Sequence, residues 1–233
     1  SADSALEAMQ QALNAHAFER KILDHCQGNR MDRVVTALDY GDEDITHHGT
    51  RDRVFFLVFE MATGDLRKHI VKTSAFDFLW ALNSLHNFFV GVNQLHTATV
   101  AHNDLKPANT LIFDKDTQKI ADLGRATSKL FPIQHDAYLC AGDVRFAPPE
   151  QLYPTERDRV SLSLEQHRVA GDLYNLGSLI FYVITARMLT PEIIAELRPE
   201  MRPRNRSGGS QDSFEQALPY WRDTFSELVK SLK

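Results

Sequence analysis

Residues 101–122 read AHNDLKPANTLIFDKDTQKIAD, and this segment carries the densest chemistry in the chain. Asp104, Asn109 and Asp122 supply carboxylate and amide oxygens, and Lys106 lies among them. Hard cations such as Mg²⁺ prefer oxygen ligands and commonly share them with substrate phosphates. These residue types are those of a site that handles a phosphorylated nucleotide. On these residues alone, however, the favoured interpretation is a hairpin in which Asp and Asn only form turns.

Upstream of this segment the pattern predicts a helix followed by two strands. Apolar residues recur at helical spacing over residues 4–26 and predict one long helix. Residues 33–41 are rich in strand formers, and residues 53–60 form the continuous apolar run that is typical of a buried strand. The polar residues over 41–53 are predicted to form a loop between the two strands.

The rest of the chain is predicted to be mainly helical. Two short strands are expected at 111–113 and 119–121, and an irregular region is expected from 122 to about 168. A short helix is predicted at 65–71 and a long apolar helix at 77–97. A buried helix is predicted at 172–187 and an amphipathic C-terminal helix at 220–232.

Composition narrows the class of protein. Of the 233 residues, 43% are hydrophobic and 24% are charged, which is a globular profile, and the formal charge of −5 argues against a nucleic-acid binder. Cys26 and Cys140 are too few and too far apart for a disulfide scaffold or a cysteine-rich zinc site. No run approaches the ~20 apolar residues of a membrane helix. The first ten residues lack a signal-peptide pattern, so a cytoplasmic location and no membrane partner are expected.

The segment also resembles two motifs of the protein kinase family. Its residues 102–109, HNDLKPAN, are similar to the catalytic loop H-R-D-L-x-x-x-N, and Asp122-Leu123-Gly124 is similar to the metal-binding D-F-G. The two motifs are separated as in the family, with thirteen positions from Asn109 to Asp122. Further similarities follow in the family's order at 19–23, 57–62, 142–150 and 172–177. Each match is modest, but their order along the chain makes the resemblance strong.

The resemblance implies an α+β, protein-kinase-like fold with two lobes. Residues 1–62 would be a truncated small lobe with few antiparallel strands, ending in an interlobe hinge at 60–62. Residues 63–233 would be the mainly helical large lobe. The catalytic loop would occupy 102–109, and the activation segment would occupy 122–150.

The resemblance also implies the roles of the polar residues. Asp104 would accept the proton of the attacking hydroxyl, and Lys106 would lie beside the transferred phosphoryl group. Asn109 and Asp122 would hold Mg²⁺, with ATP as the second cofactor. The Lys106-Pro107 pair is similar to serine/threonine kinases rather than tyrosine kinases, so the implied substrate is a protein hydroxyl.

A second implied set of residues surrounds the nucleotide. Phe59 would be the gatekeeper, and the backbone of Glu60 and Met61 would hydrogen-bond the adenine edge. Asp65 would reach the ribose. Leu111 is also assigned to the nucleotide-binding set.

The chain departs from the family pattern at its beginning. Glu19 would pair with a lysine on a preceding strand, but that strand and the glycine-rich loop before it do not occur within the 233 residues. The sequence therefore predicts that an upstream segment or a partner chain completes the small lobe.

Two substitutions alter the site itself. Asn103 replaces the arginine of H-R-D, which suggests a kinase that is not switched on by phosphorylation of its activation segment. Asp143 stands where serine/threonine kinases usually keep a threonine, and its carboxylate is expected to repel Asp104 unless it is turned away.

Three functions remain open from the sequence. The first is an ATP-dependent serine/threonine protein kinase, supported by Asp104, Lys106, Asn109 and Asp122. The second is a pseudokinase or regulatory scaffold, supported by the missing lysine and by the two substitutions. The third is a kinase-like phosphotransferase that acts on a small molecule.

Overall fold

The computed structural model describes most of the chain. The described residues are 2–47, 50–73, 75–114, 117–132, 140–153, 164–203 and 214–232. The middle of the predicted activation segment, the stretch 154–163 and the arginine-rich stretch 204–213 lie outside them.

The chain opens with a helix and a long hairpin. Helix α1 spans Ala2–Gly28, and strands β1, Ala37–His47, and β2, Thr50–Phe59, pair antiparallel. The loop predicted over 41–53 is therefore wrong, because these polar residues continue both strands. Arg53 lies opposite Asp44 in the register, and its Nε donates to Asp42 Oδ2 at 2.7 Å. Opposite charges on facing strands stabilise such a pairing, so this charged segment forms strand.

Helix α1 attaches the hairpin to the rest of the molecule. Phe18, Ile22 and Leu23 are buried on one face of α1, as the helical spacing predicts. On the hairpin side, the Arg20 guanidinium lies 3.6 Å from the centre of the Tyr40 ring. The second half of α1 is therefore fixed against both the hairpin and the core.

Short strands and long helices form the remainder. Strands β3, Gly64–Asp65, β5, Thr110–Ile112, and β6, Gln118–Ile120, make a three-stranded antiparallel sheet in the order β3-β5-β6. Strand β4, Val100–Ala101, pairs with β7, Thr127–Ser128. The helices are α2, Leu66–Lys72, α3, Phe78–Thr97, α4, Leu164–Thr185, α5, Leu189–Glu196, and α6, Phe214–Lys230.

Two hydrophobic cores hold these elements together. The larger core joins α1, α3, α4 and the loops around 105 and 123, with Ile22, Leu95, Leu105, Leu123 and Leu179 all almost fully buried. The smaller core lies between α5, α6 and the segment at 149–153. Because side chains before and after the segment 101–122 share the larger core, that core sets the position of the chemistry-bearing loops. The mixture of helices with few antiparallel strands confirms the α+β class.

Within the described ranges, no single helix has the length and apolar composition to cross a membrane. The part of α4 from Arg168 and helix α5 meet these two criteria only together, as a pair bent by 87°.

Candidate active site

The loop at 102–109 is held in place by a buried carboxylate, that of Asp172. Asp172 lies on α4 with none of its surface exposed. Its oxygens accept hydrogen bonds from the backbone N–H groups of His102 and Asn103, both at 2.7 Å, and contact His96 Nε2 at 2.9 Å. Asn103 has φ 65°, a left-handed conformation that costs energy in most residues. The Asp172 carboxylate therefore holds the loop in a shape that it would not adopt alone.

The Asp104 carboxylate is the centre of the site. It is buried, and Oδ2 accepts hydrogen bonds from Lys106 Nζ at 2.7 Å and Asn109 Nδ2 at 3.1 Å. The other oxygen, Oδ1, accepts from the backbone N–H of Asp143 at 2.8 Å. The structure thus brings Asp104, Lys106 and Asn109 together, as the sequence predicts. A carboxylate fixed on both oxygens is oriented for accepting a proton from a docked hydroxyl.

Asn109 and Asp122 are linked through the backbone. The Ala121 N–H donates to the Asn109 carbonyl at 2.9 Å, and Asp122 follows directly, in a left-handed conformation with φ 66°. The Nδ2 group of Asn109 binds both the carbonyl and the carboxylate of Asp104, which leaves its Oδ1 available as a ligand.

This donor set fits Mg²⁺ that is shared with a phosphate. One amide oxygen and one carboxylate are hard ligands, and Mg²⁺ commonly binds one or two carboxylates plus substrate phosphates. Among the described residues, no group of three His, Cys, Asp or Glu side chains could hold a metal. Two protein ligands would leave the other coordination positions of Mg²⁺ to waters or to substrate phosphates.

Glu19 lies close to Asp122, one of the two predicted metal ligands. A Cβ atom built on Gly124 would lie 3.4 Å from Glu19 Oε2 and 3.6 Å from Asp122 Oδ1, so both carboxylates flank Gly124. Burial, and then the charge of Asp122, raise the pKa of Glu19 from 4.5 to about 7. No lysine or arginine in the described part of the chain forms an ion pair with it. The predicted pairing of Glu19 with a lysine thus stays a prediction, but its carboxyl is poised to receive a cation.

We expect Glu19→Gln to stabilise the 233-residue chain at pH 8 by on the order of 1–3 kcal/mol. The raised pKa means that the folded chain holds the Glu19 proton more tightly than the unfolded chain does. Stability from this group is therefore complete below pH 4.5 and falls as the pH rises through about 7. Denaturant unfolding of both chains from pH 4 to pH 8 measures the difference. Parallel stability curves would contradict the prediction.

The predicted hinge residues lie at the end of β2. Phe59 packs against the larger core, and Met61 is 90% exposed. Glu60 is tied down by its side chain, because its carboxylate accepts from Lys119 Nζ at 2.7 and 2.8 Å and from the Thr36 N–H at 2.8 Å. Burial alone would raise the pKa of Glu60, but these hydrogen bonds outweigh it and hold the pKa below its usual value.

The Glu60 backbone is only partly available to a ligand. Its N–H donates to the Thr36 carbonyl at 3.2 Å. The Glu60 carbonyl oxygen and both backbone groups of Met61 have no such partner among the described residues, and their contact with an adenine edge stays a prediction.

Asp65 and Leu111 face each other across the β3–β5 pairing. Asp65 is buried and caps α2, since its Oδ1 accepts from the Lys68 N–H at 2.8 Å and its Oδ2 lies 3.2 Å from Lys68 Nζ. In the structure, Asp65 therefore serves as the N-cap of α2. Its contact with a ribose stays a prediction. Leu111 is half-buried on β5.

Asp143 does not repel Asp104 in the way the sequence suggests. Its carboxylate is bound by Arg145, through Nε at 3.0 and 3.2 Å and through Nη2 at 2.6 Å. Hydrogen bonds from Arg145 hold the pKa of Asp143 below its usual value, against the effect of burial. Asp143 Oδ2 also lies 4.0 Å from Lys106 Nζ. The carboxylate is thus turned toward two cations, and the backbone N–H of Asp143 supports Asp104.

Gly142 permits this close approach. A Cβ atom built there would lie 2.2 Å from the Asn103 carbonyl oxygen and 3.0 Å from Asp104 Oδ1. Real Cβ atoms do not approach a backbone oxygen so closely, so a glycine is required for Asp143 to reach Asp104.

Asn103 binds the start of the predicted activation segment directly. Its Nδ2 donates to the Arg125 carbonyl and to Thr127 Oγ1, both at 2.8 Å. The β4–β7 pairing adds backbone hydrogen bonds at the same place. The amide therefore forms a neutral link between the catalytic loop and β7, without a phosphate between them.

Comparisons with known proteins agree with this architecture. The family model of the protein kinase domain matches residues 4–232, and the chain belongs to this family. Serine/threonine-protein kinase PrkC of Bacillus subtilis (strain 168) is 26% identical over 156 residues, which are 66% of this chain and 21% of PrkC. Cyclin-dependent kinase 17 of Caenorhabditis elegans is 28% identical over 152 residues, 64% of this chain and 20% of that protein.

A solved structure with the same fold is a chain of the yeast RNA Pol II CTD kinase CTDK-1 complex. It superposes with a TM-score of 0.55 at 18% identity, covering 74% of this chain and 51% of that chain. This similarity and the family match confirm the protein-kinase-like fold. The aligned part of the chain spans about a fifth of the length of the two curated relatives.

Proposed function

We propose that the protein is an ATP-dependent serine/threonine protein kinase that transfers the γ-phosphate to protein hydroxyls. The observation that carries this proposal is the buried Asp104 carboxylate, with Lys106 at 2.7 Å and Asn109 at 3.1 Å. Protein kinases use this set of residues to orient a hydroxyl and to neutralise a phosphoryl group. The Ser/Thr assignment is supported by Lys106-Pro107 and by the name of the relative from Bacillus subtilis, serine/threonine-protein kinase PrkC.

In this proposal each polar residue has one task. Asp104 accepts the proton of the substrate hydroxyl. Lys106 lies beside the transferred phosphoryl group and offsets its negative charge. Asn109 and Asp122 hold Mg²⁺, which when bound offsets the negative charge of the phosphates. Transfer then depends mainly on positioning and electrostatics.

The nucleotide is proposed to bind along the hinge. Phe59 would close the back of the adenine site, while Glu60 and Met61 offer the backbone groups described above. Asp65 would contribute to the ribose side and Leu111 to the apolar floor.

The small lobe is proposed to be completed by a further strand. Strand β2 pairs only with β1 among the described residues, so its other edge has no strand partner there, although His16 Nε2 lies 3.2 Å from the Phe56 carbonyl oxygen. Glu19 has a raised pKa and no cationic partner in the described part of the chain. A strand that carries a lysine, from an upstream segment or a partner chain, would satisfy both. The protein is proposed to work in the cytoplasm, without nucleic acid or membrane as a partner.

Transfer of labelled phosphate tests the proposal. The full-length protein is incubated with [γ-³²P]ATP and Mg²⁺, with a generic protein substrate, with serine peptides and with small alcohols. We expect label on protein or peptide, none on the alcohols, and none after EDTA or in Asp122→Asn. Label on alcohols alone would indicate a small-molecule phosphotransferase instead.

A second candidate is a pseudokinase, in which the same fold binds a nucleotide or a partner without transfer. The substitutions at Asn103 and Asp143 favour it, as does the lack of a cationic partner for Glu19 among the described residues. Tight Mg-ATP binding with no labelled product from the full-length protein would support this candidate and exclude the kinase.

A further inference from the structure

We infer that Arg145 is a specificity-determining residue that selects acceptor hydroxyls flanked by an anionic group. This inference rests on the proposed function, because it assumes that a peptide hydroxyl docks at Asp104. The anionic group is a carboxylate or a phosphate on a residue near the acceptor, since both match the planar fork of a guanidinium.

The first argument is that the guanidinium is held in a fixed orientation. Nε and Nη2 of Arg145 both bind the Asp143 carboxylate, and the Arg145 backbone N–H adds a third contact to Asp143 Oδ1 at 3.0 Å. Asp143 is itself fixed by its backbone N–H on Asp104. A side chain ordered before a ligand arrives loses less entropy when it binds one.

The second argument is that one edge of the guanidinium remains open. The Asp143 carboxylate uses Nε and Nη2, whereas Nη1 has no partner among the described residues. The Arg145 side chain is 57% exposed, while that of Asp143 is only 14% exposed. A ligand that approaches from solvent therefore meets the positive end of this pair.

The third argument is the position of Arg145 relative to the reacting group. Four charges alternate in a row from the catalytic loop outward: Asp104, Lys106, Asp143 and Arg145. Asp104 lies 2.7 Å from Lys106 Nζ, which lies 4.0 Å from Asp143 Oδ2, which in turn lies 2.6 Å from Arg145 Nη2. An extended peptide advances about 3.3 Å per residue, so a residue within about three positions of the acceptor reaches Arg145.

The charge balance of the row favours an anion at its outer end. The two carboxylates are each matched by a cation, so an added anion meets no unbalanced negative charge. Lys106 is held at Asp104, and Asp143 is shielded by Arg145. A basic flanking residue would instead find no acceptor on the exposed guanidinium, which only donates hydrogen bonds.

Equilibrium binding of peptides to the full-length protein tests the inference. The probes are short fluorescein-labelled serine peptides in which the flanking residues are alanine, aspartate, phosphoserine or arginine. Their anisotropy is measured with Mg²⁺ and a non-hydrolysable ATP analogue. We expect the aspartate or phosphoserine peptides to bind about five- to tenfold more tightly than the alanine peptide, as for one charge-assisted hydrogen bond at a partly exposed position.

Variants separate the role of Arg145 from general charge. The double variant Asp143→Asn/Arg145→Gln removes one charge of each sign, and we expect it to lose the preference for anionic peptides. Arg145→Glu is expected to reverse the preference toward the arginine peptide. The control is Asp42→Asn/Arg53→Gln, which removes a similar exposed pair from the β1–β2 hairpin and is expected to keep the wild-type preference.

Retention of the anionic preference in the Asp143/Arg145 double variant would overturn the inference, as would equal binding of all peptides by the wild type. Loss in that variant alone supports it. Absence of phosphate transfer with the binding preference intact would refute catalysis and still support the role of Arg145. Comparing aspartate with phosphoserine peptides shows which anion is selected.

Discussion

Replacing Asp104 with asparagine is expected to lower the rate of phosphate transfer by roughly 10²- to 10⁴-fold, the range that a positioned general base contributes. The variant keeps the shape of the side chain but removes the oxygen that accepts the proton. Mg-ATP binding is expected to change little, because Asn109 and Asp122 carry the proposed metal site. Initial rates with a peptide substrate and calorimetric titration with Mg-ATP measure the two effects.

The matched control is Asp223→Asn on α6, an exposed carboxylate far along the chain from the site. It should transfer phosphate at the wild-type rate. An Asp104→Asn protein that retains more than about a tenth of the wild-type rate would contradict the role of general base.

Replacing Asp172 with alanine is expected to destabilise the fold by about 3–5 kcal/mol. The substitution leaves two buried backbone N–H groups, those of His102 and Asn103, without acceptors. It also removes the hydrogen bond from the Asn103 N–H that stabilises the left-handed conformation of this residue. For a chain of this length, the midpoint of thermal unfolding should fall by on the order of 10 °C.

The conservative change Asp172→Asn keeps one acceptor oxygen and should cost less than the change to alanine. Asp223→Ala should be nearly neutral. If Asp172→Ala melts with the wild type, the loop at 102–109 is held by something other than this carboxylate.

The central part of the site could be predicted from the sequence because its residues are close together in the chain. Asp104, Lys106 and Asn109 lie within six positions, and a short loop must bring them together. The helical spacing of α1 and the apolar run of β2 are likewise local patterns. Each of these predictions needs only neighbouring residues.

The contacts that hold and complete the site could not be predicted in this way. Asp172 binds backbone groups about seventy positions away, and Lys119 reaches Glu60 over a similar distance. No local pattern reports such contacts. Asp172 lies in the kinase-like motif at 172–177. The only sign of its role in the sequence was a carboxylate next to the apolar residues of a predicted buried helix.

The β1–β2 hairpin is a case in which local composition led to a wrong prediction. The residues over 41–53 are mostly charged or polar and suggested a loop. Arg53 lies opposite Asp44 on the facing strand and donates a hydrogen bond to the Asp42 side chain, so these charges stabilise the strand pairing. Cross-strand partners cannot be seen in a single run of sequence.

The hydrogen bonds of Glu60 restrict movement at the predicted hinge, residues 60–62. Glu60 is fixed to Thr36 and Lys119, and Thr63 is fixed to β5 through its N–H and hydroxyl, at 2.7 and 2.8 Å from the Ile112 carbonyl. Between these anchors only Met61 and Ala62 have a backbone free of such contacts. In the proposed kinase, movement between the lobes is expected to turn on these two residues, and compounds that stiffen this dipeptide are expected to slow the release of nucleotide without touching Asp104.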